Sequence, residues 1–208
     1  MKKQLTLALV LAITLTFTQK AAAKKPPEKA AVGTFTDIRD NKTYKTAKIG
    51  TQVWMAENLN IEIEKGNSKC YDDYESNCQK YGRLYDWETA RKACPKGWHM
   101  PSDAEWDKLD SISGTPGKDL KAKSGWDNCT GEDKFGFAAL PGGNSGYNDG
   151  NSENDGFNRI GYGGFWWTAT KIDSIYAFSR YMDCLDANTL YASNGKKSDL
   201  YSVRCVKD

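Results

Sequence analysis

One histidine, His99, stands in 208 residues, and no two cysteines are spaced as a CxxC pair. A structural zinc site draws its ligands from Cys and His at such short spacings, so zinc is not expected. A long hydrophobic run is also missing. The longest, Leu5–Phe17, is broken by threonines and falls short of the about 20 apolar residues that a membrane-spanning helix needs. Neither sign of charge dominates, with 29 basic against 27 acidic residues. A basic stripe for nucleic acid or for an anionic membrane is therefore absent, and no nucleic-acid partner is expected. The late lysines Lys196 and Lys197 follow Asn194-Gly195, a pair that signals a hairpin turn, and read as ordinary solvated surface.

The first residues combine a basic start (Lys2, Lys3), an apolar middle and small residues at Ala21–Ala23. This is the pattern of a secretory signal over 1–23. The first cysteine is Cys70, so no lipid-bearing cysteine sits at the cleavage point, and no membrane anchor is expected. Taking the three lysines of this segment from the 29 basic residues leaves 26 against 27 acidic ones. Residues 24–33, KKPPEKAAVG, read as a linker, and 34–208 as one domain. The expected location is periplasmic or extracellular. Six cysteines in an exported chain point to disulfides: Cys70, Cys78, Cys94, Cys129, Cys184 and Cys205. The short separation of Cys70 and Cys78 suits a local bridge, and the remaining pairing stays open at this point.

Along the domain, β-type residues over 34–59 are broken by turn signals at Asp40-Asn41-Lys42 and Gly50-Thr51-Gln52, which predicts a meander of two or three strands. Asp86 caps a predicted helix whose Trp87, Ala90 and Cys94 share a face, and Pro95 and Gly97 end it. In Pro101-Ser102-Asp103-Ala104-Glu105-Trp106, Ser102 and Glu105 form a capping box, with Pro101 and Trp106 as a hydrophobic staple. From Gly114 onward helical periodicity fades, apart from a short stretch at 119–123. Short β runs are predicted at 135–140, 165–170, 175–181, 189–192 and 201–206. The segment Pro141–Gly164 is long for a loop, and long loops commonly carry function.

TDIRDNKTYKTAKIGTQVWMAENLN, CYDDYESNCQKYGRLYDWETARKACPKGWHMPSDAEWDKL, FGFAALPGG, FWWTAT and SVRCVKD resemble the Fibrobacter succinogenes major paralogous domain, in the family's order. The resemblance implies an α+β, C-type-lectin-like domain, akin also to formylglycine-generating enzymes: two helices on small antiparallel sheets, a long irregular loop region and disulfide staples. It also implies the pairings Cys94–Cys205, Cys70–Cys78 and Cys129–Cys184. No established activity comes with it. The EPN and WND signatures of sugar-binding lectins are absent, and FWWTAT stands where a WND-like segment is expected.

Several chemistries compete for the functional residues. His99, Ser102 and Asp103 suggest a triad by composition, but serine and aspartate are neighbours at a helix start and no nucleophile elbow presents the hydroxyl. Cys94 is better placed in a bridge than as a thiol nucleophile. The late cysteines Cys184 and Cys205 lack surroundings that match an oxidase motif. Asn148, Asp149, Asn151, Glu153, Asn154 and Asp155 crowd oxygen atoms into the long loop, which makes calcium the one cation the composition admits. EF-hand spacing fails there, because Tyr162 stands where the bidentate glutamate belongs, and a solvated turn-rich loop is the simpler reading. No cofactor is therefore expected. Aromatic residues flank the same loop, and flat rings with polar handles suit saccharide stacking or protein contact. The candidate ligand-binding set is Trp126, Tyr147, Asn148, Asp149, Tyr162, Trp166 and Trp167, with one of the adjacent pair Trp166 and Trp167 expected in the core and the other exposed. The expected function is non-catalytic recognition of carbohydrate or a cell-surface protein. The alternatives are an envelope protein without a ligand and an enzyme using loop carboxylates such as Asp149, Glu153 or Asp155.

Overall fold

The computed structural model describes residues 31–63, 67–146 and 156–208. The segment 1–23 lies outside them, as does most of the linker. The linker's last residues, Ala31–Gly33, already belong to a strand, because their backbone pairs in register with Lys48–Thr46.

The predicted meander forms as β1 (Ala31–Thr36), β2 (Thr43–Ile49) and β3 (Gln52–Met55). Its turns fall at Asn41 and Gly50, each with φ 59°, a conformation that Asn and Gly tolerate best. The polar stretch after it contains β4 (Ser68–Lys69) and a helix, α1 (Glu75–Tyr81), that sequence periodicity does not announce. A short strand β5 (Leu84–Tyr85) leads into α2 (Trp87–Ala93), where the Asp86 carboxylate accepts from the Thr89 amide as expected of a cap. Next come β6 (Trp98–His99), the capped helix α3 (Asp103–Asp110) and a short α4 (Pro116–Leu120). The long segment after residue 140 is paired at both roots, as β7 (Gly142–Ser145) and β8 (Phe157–Ile160). The late half is β9 (Gly163–Lys171), β10 (Tyr176–Asp183), β11 (Tyr191–Lys196), β12 (Tyr201–Ser202) and β13 (Val206–Lys207).

These elements make an α+β fold of two mainly antiparallel sheets with few, short helices. One sheet runs β1-β2-β3-β13-β6, so a late strand is inserted beside the first meander. The other runs β11-β10-β9-β12-β5-β4, with β7 and β8 attached beside β9. Strand β9 is walled in on both faces: Phe165 and Trp167 join one buried cluster with Trp87, Tyr85 and Tyr201, and Trp166 joins another with Trp54, Trp106 and Phe137.

Two sequence expectations give way here. Residues 135–140 form turns and a single bridge, Lys121 to Ala139, rather than a strand. The reason is Arg204, which is fully buried and draws in the carbonyls of Phe137 and Ala138, with Ala138 held at φ 51°. Asn194-Gly195 is not a hairpin turn but lies inside β11, opposite Phe178 and Ala177. A Cβ on Gly195 would come within 2.6 Å of the Tyr201 hydroxyl, so the glycine serves a close approach of ring to strand. The three bridges are Cys70–Cys78, Cys94–Cys205 and Cys129–Cys184. They fit an oxidising compartment, and no described helix is long and apolar enough to cross a membrane.

Candidate functional site

His99, the residue that first suggests catalysis, is held by two carboxylates. Its Nδ1 lies 2.6 Å from Asp208 Oδ1 and its Nε2 lies 2.8 Å from Glu105 Oε1. Burial disfavours the charged ring, but the hydrogen bonds to Asp208 and Glu105 outweigh it and hold His99 above its ordinary value. Burial likewise opposes the charge on Glu105, whose carboxyl is nonetheless held low by bonds from Ser102 and His99. The Ser102 hydroxyl donates to Glu105 Oε2 at 2.8 Å rather than to the imidazole. Asp103 meets the buried Arg180 at 2.5 Å, and Asp107 meets the same guanidinium at 2.7 Å. Both ring nitrogens therefore face carboxylates, and the serine completes the capping box of α3. This arrangement fastens a helix start to β6 and to residue 208; it is not the geometry of an activated nucleophile.

A different feature has the shape of a site. A row of rings crosses the second sheet from its buried centre to its edge. Trp167 stacks on Tyr201 at 4.3 Å, Tyr201 meets Phe165 at 5.7 Å, Phe165 stacks on Tyr181 at 5.6 Å, and Tyr181 stacks on Tyr191 at 4.7 Å. The outer rings face each other because Tyr181 is in register with Phe165 on β9 and with Tyr191 on β11. Tyr181 and Tyr191 are half-buried, and β11 ends the sheet. Against this row opens a cleft of about 190 Å³, lined by Arg159, Phe165, Ser179, Tyr181, Ser193 and Asn194 among others. Leu185 on its lip is 80% exposed. The Asp183 carboxylate beneath that lip accepts from the amides of Leu185 and Asp186, which fixes the turn. Tyr191 donates to Asp186 at 3.1 Å, and burial followed by that carboxylate keeps its phenol protonated above the ordinary range.

The family model for the Fibrobacter succinogenes major domain matches residues 47–207. The chain belongs to that family. No curated protein and no solved structure matches it. The Fibrobacter succinogenes major domain motifs meet around Arg204 and α3. Asn58, from the MAENL stretch, accepts from Trp166 Nε1 at 2.9 Å and from Arg204 Nη2 at 2.9 Å. Phe137 of FGFAAL lies under the guanidinium, 4.2 Å from its centre. FWWTAT reaches α3 through Thr170 Oγ1, which accepts from the Asp103 amide at 3.0 Å.

This assembly decides where the candidate aromatics go. Trp166 and Trp167 are both 0% exposed: they do point to opposite faces of β9, but each face is a core, so neither of the pair is exposed. Trp167 Nε1 donates to Tyr85 O at 2.8 Å. Trp126 is 4% exposed, with its Nε1 on Ala139 O and the Lys121 ammonium over its ring. Three of the candidate residues are thus packing residues. Tyr162 is half-buried at the turn after β8, its amide donating to Arg159 O. Tyr147, Asn148 and Asp149 lie outside the described residues, with Asn151, Glu153, Asn154 and Asp155. Among the described residues the one tight group of potential metal ligands is Cys70, Glu75 and Cys78, and its sulfurs are joined in a bridge. Tyr181 and Tyr191 are not legible as site residues in the sequence, because a tyrosine on a strand gives no sign of which rings will stand beside it. The alternation in YAFSRYMD was the one available signal, and a bulge between Ala177 and Ser179 blurs it.

Proposed function

We propose that this member of the Fibrobacter succinogenes major domain family is an exported recognition module that binds carbohydrate without transforming it, on a scaffold of the C-type-lectin-like type. The observation that carries the reading is the ring row, three of whose members, Phe165, Tyr181 and Tyr201, line one concavity together with two serines, an asparagine and an arginine, while Tyr191 backs Tyr181 by stacking. Flat aromatic faces bury the apolar face of a sugar while hydroxyl, amide and guanidinium groups read its rim. The scaffold reading is supported by α2 and α3 flanking the sheets, by β13 lying between β3 and β6, and by the bridge from the end of α2 to residue 205. A rigid cross-linked frame holds the contacting side chains in place before the ligand arrives, which lowers the ordering cost of binding.

The test is binding of oxidised protein to a glycan array and to insoluble polysaccharides, with and without EDTA. Saturable binding that weakens at least about tenfold in Tyr191→Ala and Tyr181→Ala is expected. Loss of binding in EDTA adds a cation to the site. Binding to no glycan under either condition overturns the carbohydrate reading.

A further inference from the structure

We infer that the cleft on β9, β10 and β11 receives one terminal pyranose ring end-on, rather than a stretch of glycan chain; the inference rests on the carbohydrate reading above. Size argues first. The cleft holds about 190 Å³, below the roughly 300 Å³ at which pockets begin to enclose multi-ring ligands. It is also closed at the bottom, where Phe165 and Tyr201 belong to the buried cluster.

Polarity argues second. Ser179, in register with Ser193 across β10 and β11, is 2% exposed and lies at the inner end. Ser193, on the same face of β11, is half-buried, so hydroxyls are graded from the floor towards the mouth. An end-on ring meets both serines in succession, whereas a chain lying across the mouth meets only Ser193 and the lip. The exposed Leu185 at that lip suits the bond to the next residue, where the ligand leaves the cleft. Arg159, from β8, also lines the cleft.

The experiment uses the oxidised full chain, labelled with ¹⁵N. It is titrated first with methyl pyranosides of glucose, galactose, mannose, xylose and glucuronic acid, then with oligosaccharides of increasing length built on the sugar that responds. Shifts at the Ser179, Ser193 and Asn194 amides are expected with a single-ring glycoside, and affinity is expected to change less than about threefold with length. Ser193→Phe, which fills the cleft from the sheet edge, is expected to weaken binding at least about tenfold with an unchanged unfolding temperature. Asn194→Ala, whose side chain leaves the opposite face of β11, is the control and is expected to change binding less than about threefold. Affinity that climbs more than about tenfold with length overturns the inference. So does polysaccharide binding that Ser193→Phe leaves intact, and in both cases the carbohydrate reading survives. Failure of every glycan and glycoside to bind removes the two together.

Discussion

Arg204 takes its charge into the middle of the molecule, with no carboxylate at ion-pair distance among the described residues. Desolvation pulls its pKa down to about 9, so it remains cationic in the neutral range. Its partners are the Asn58 amide oxygen and two backbone carbonyls. Asn58 in turn donates to Tyr81 O and to Ser202. Removing one partner of a buried charge costs more than removing the charge itself. Asn58→Ala is therefore expected to destabilise by about 3–5 kcal/mol, and Arg204→Met by clearly less, measured by urea unfolding. Equal losses would show that the guanidinium is not what makes Asn58 necessary. His99 supports a second prediction. Its value is raised in the folded state, so its stabilisation is whole below about 6.5 and fades as pH rises through the folded value. The side chain is 42% exposed, and screening limits the effect to about 0.5 kcal/mol. The unfolding midpoint should fall slightly above that pH, and His99→Gln should flatten the fall. None of the Arg204 network was legible beforehand, because a residue pattern shows that an arginine is present but not that three distant segments will surround it.

The helices with side-chain caps were the legible elements. Asp86 and Ser102 announce α2 and α3 because capping is a contact across three residues, so the sequence contains both partners. Ser102→Ala is expected to cost about 1 kcal/mol, with an unchanged denaturant slope. A change well below half that value would mean that the pairing of Arg180 with Asp103 and Asp107, not the cap, holds the start of α3. Helix α1 has no side-chain cap, so nothing local announces it, although the spacing of Cys70 and Cys78 announces the bridge that ties that stretch. Strands were legible where alternation was clean and misleading where it was not. The six buried residues from Gly163 to Thr168 look like a strand with one wet face only until two cores are known to flank it. That is why sequence alternation divides Trp166 and Trp167 between core and surface when both are buried.

At the level of the whole chain, the bridges differ in how much freedom they remove. Cys94–Cys205 spans 111 residues, Cys129–Cys184 spans 55 and Cys70–Cys78 spans 8. Loop-closure entropy assigns about 4.7, 4 and 2.5 kcal/mol to them as upper values, so replacing each pair by alanine should lower the unfolding temperature in that order. A larger drop for the Cys70–Cys78 pair would mean that the bridge supports α1 directly rather than restricting the unfolded chain. The insertion of Val206 between Trp54 and His99 also sets the order of events during synthesis. The first sheet cannot close until residue 206 has been made, and contacts that distant form slowly. The chain therefore stays open along this sheet through nearly the whole of its synthesis, and its last residues close it twice, through β13 and through the Cys94–Cys205 bridge.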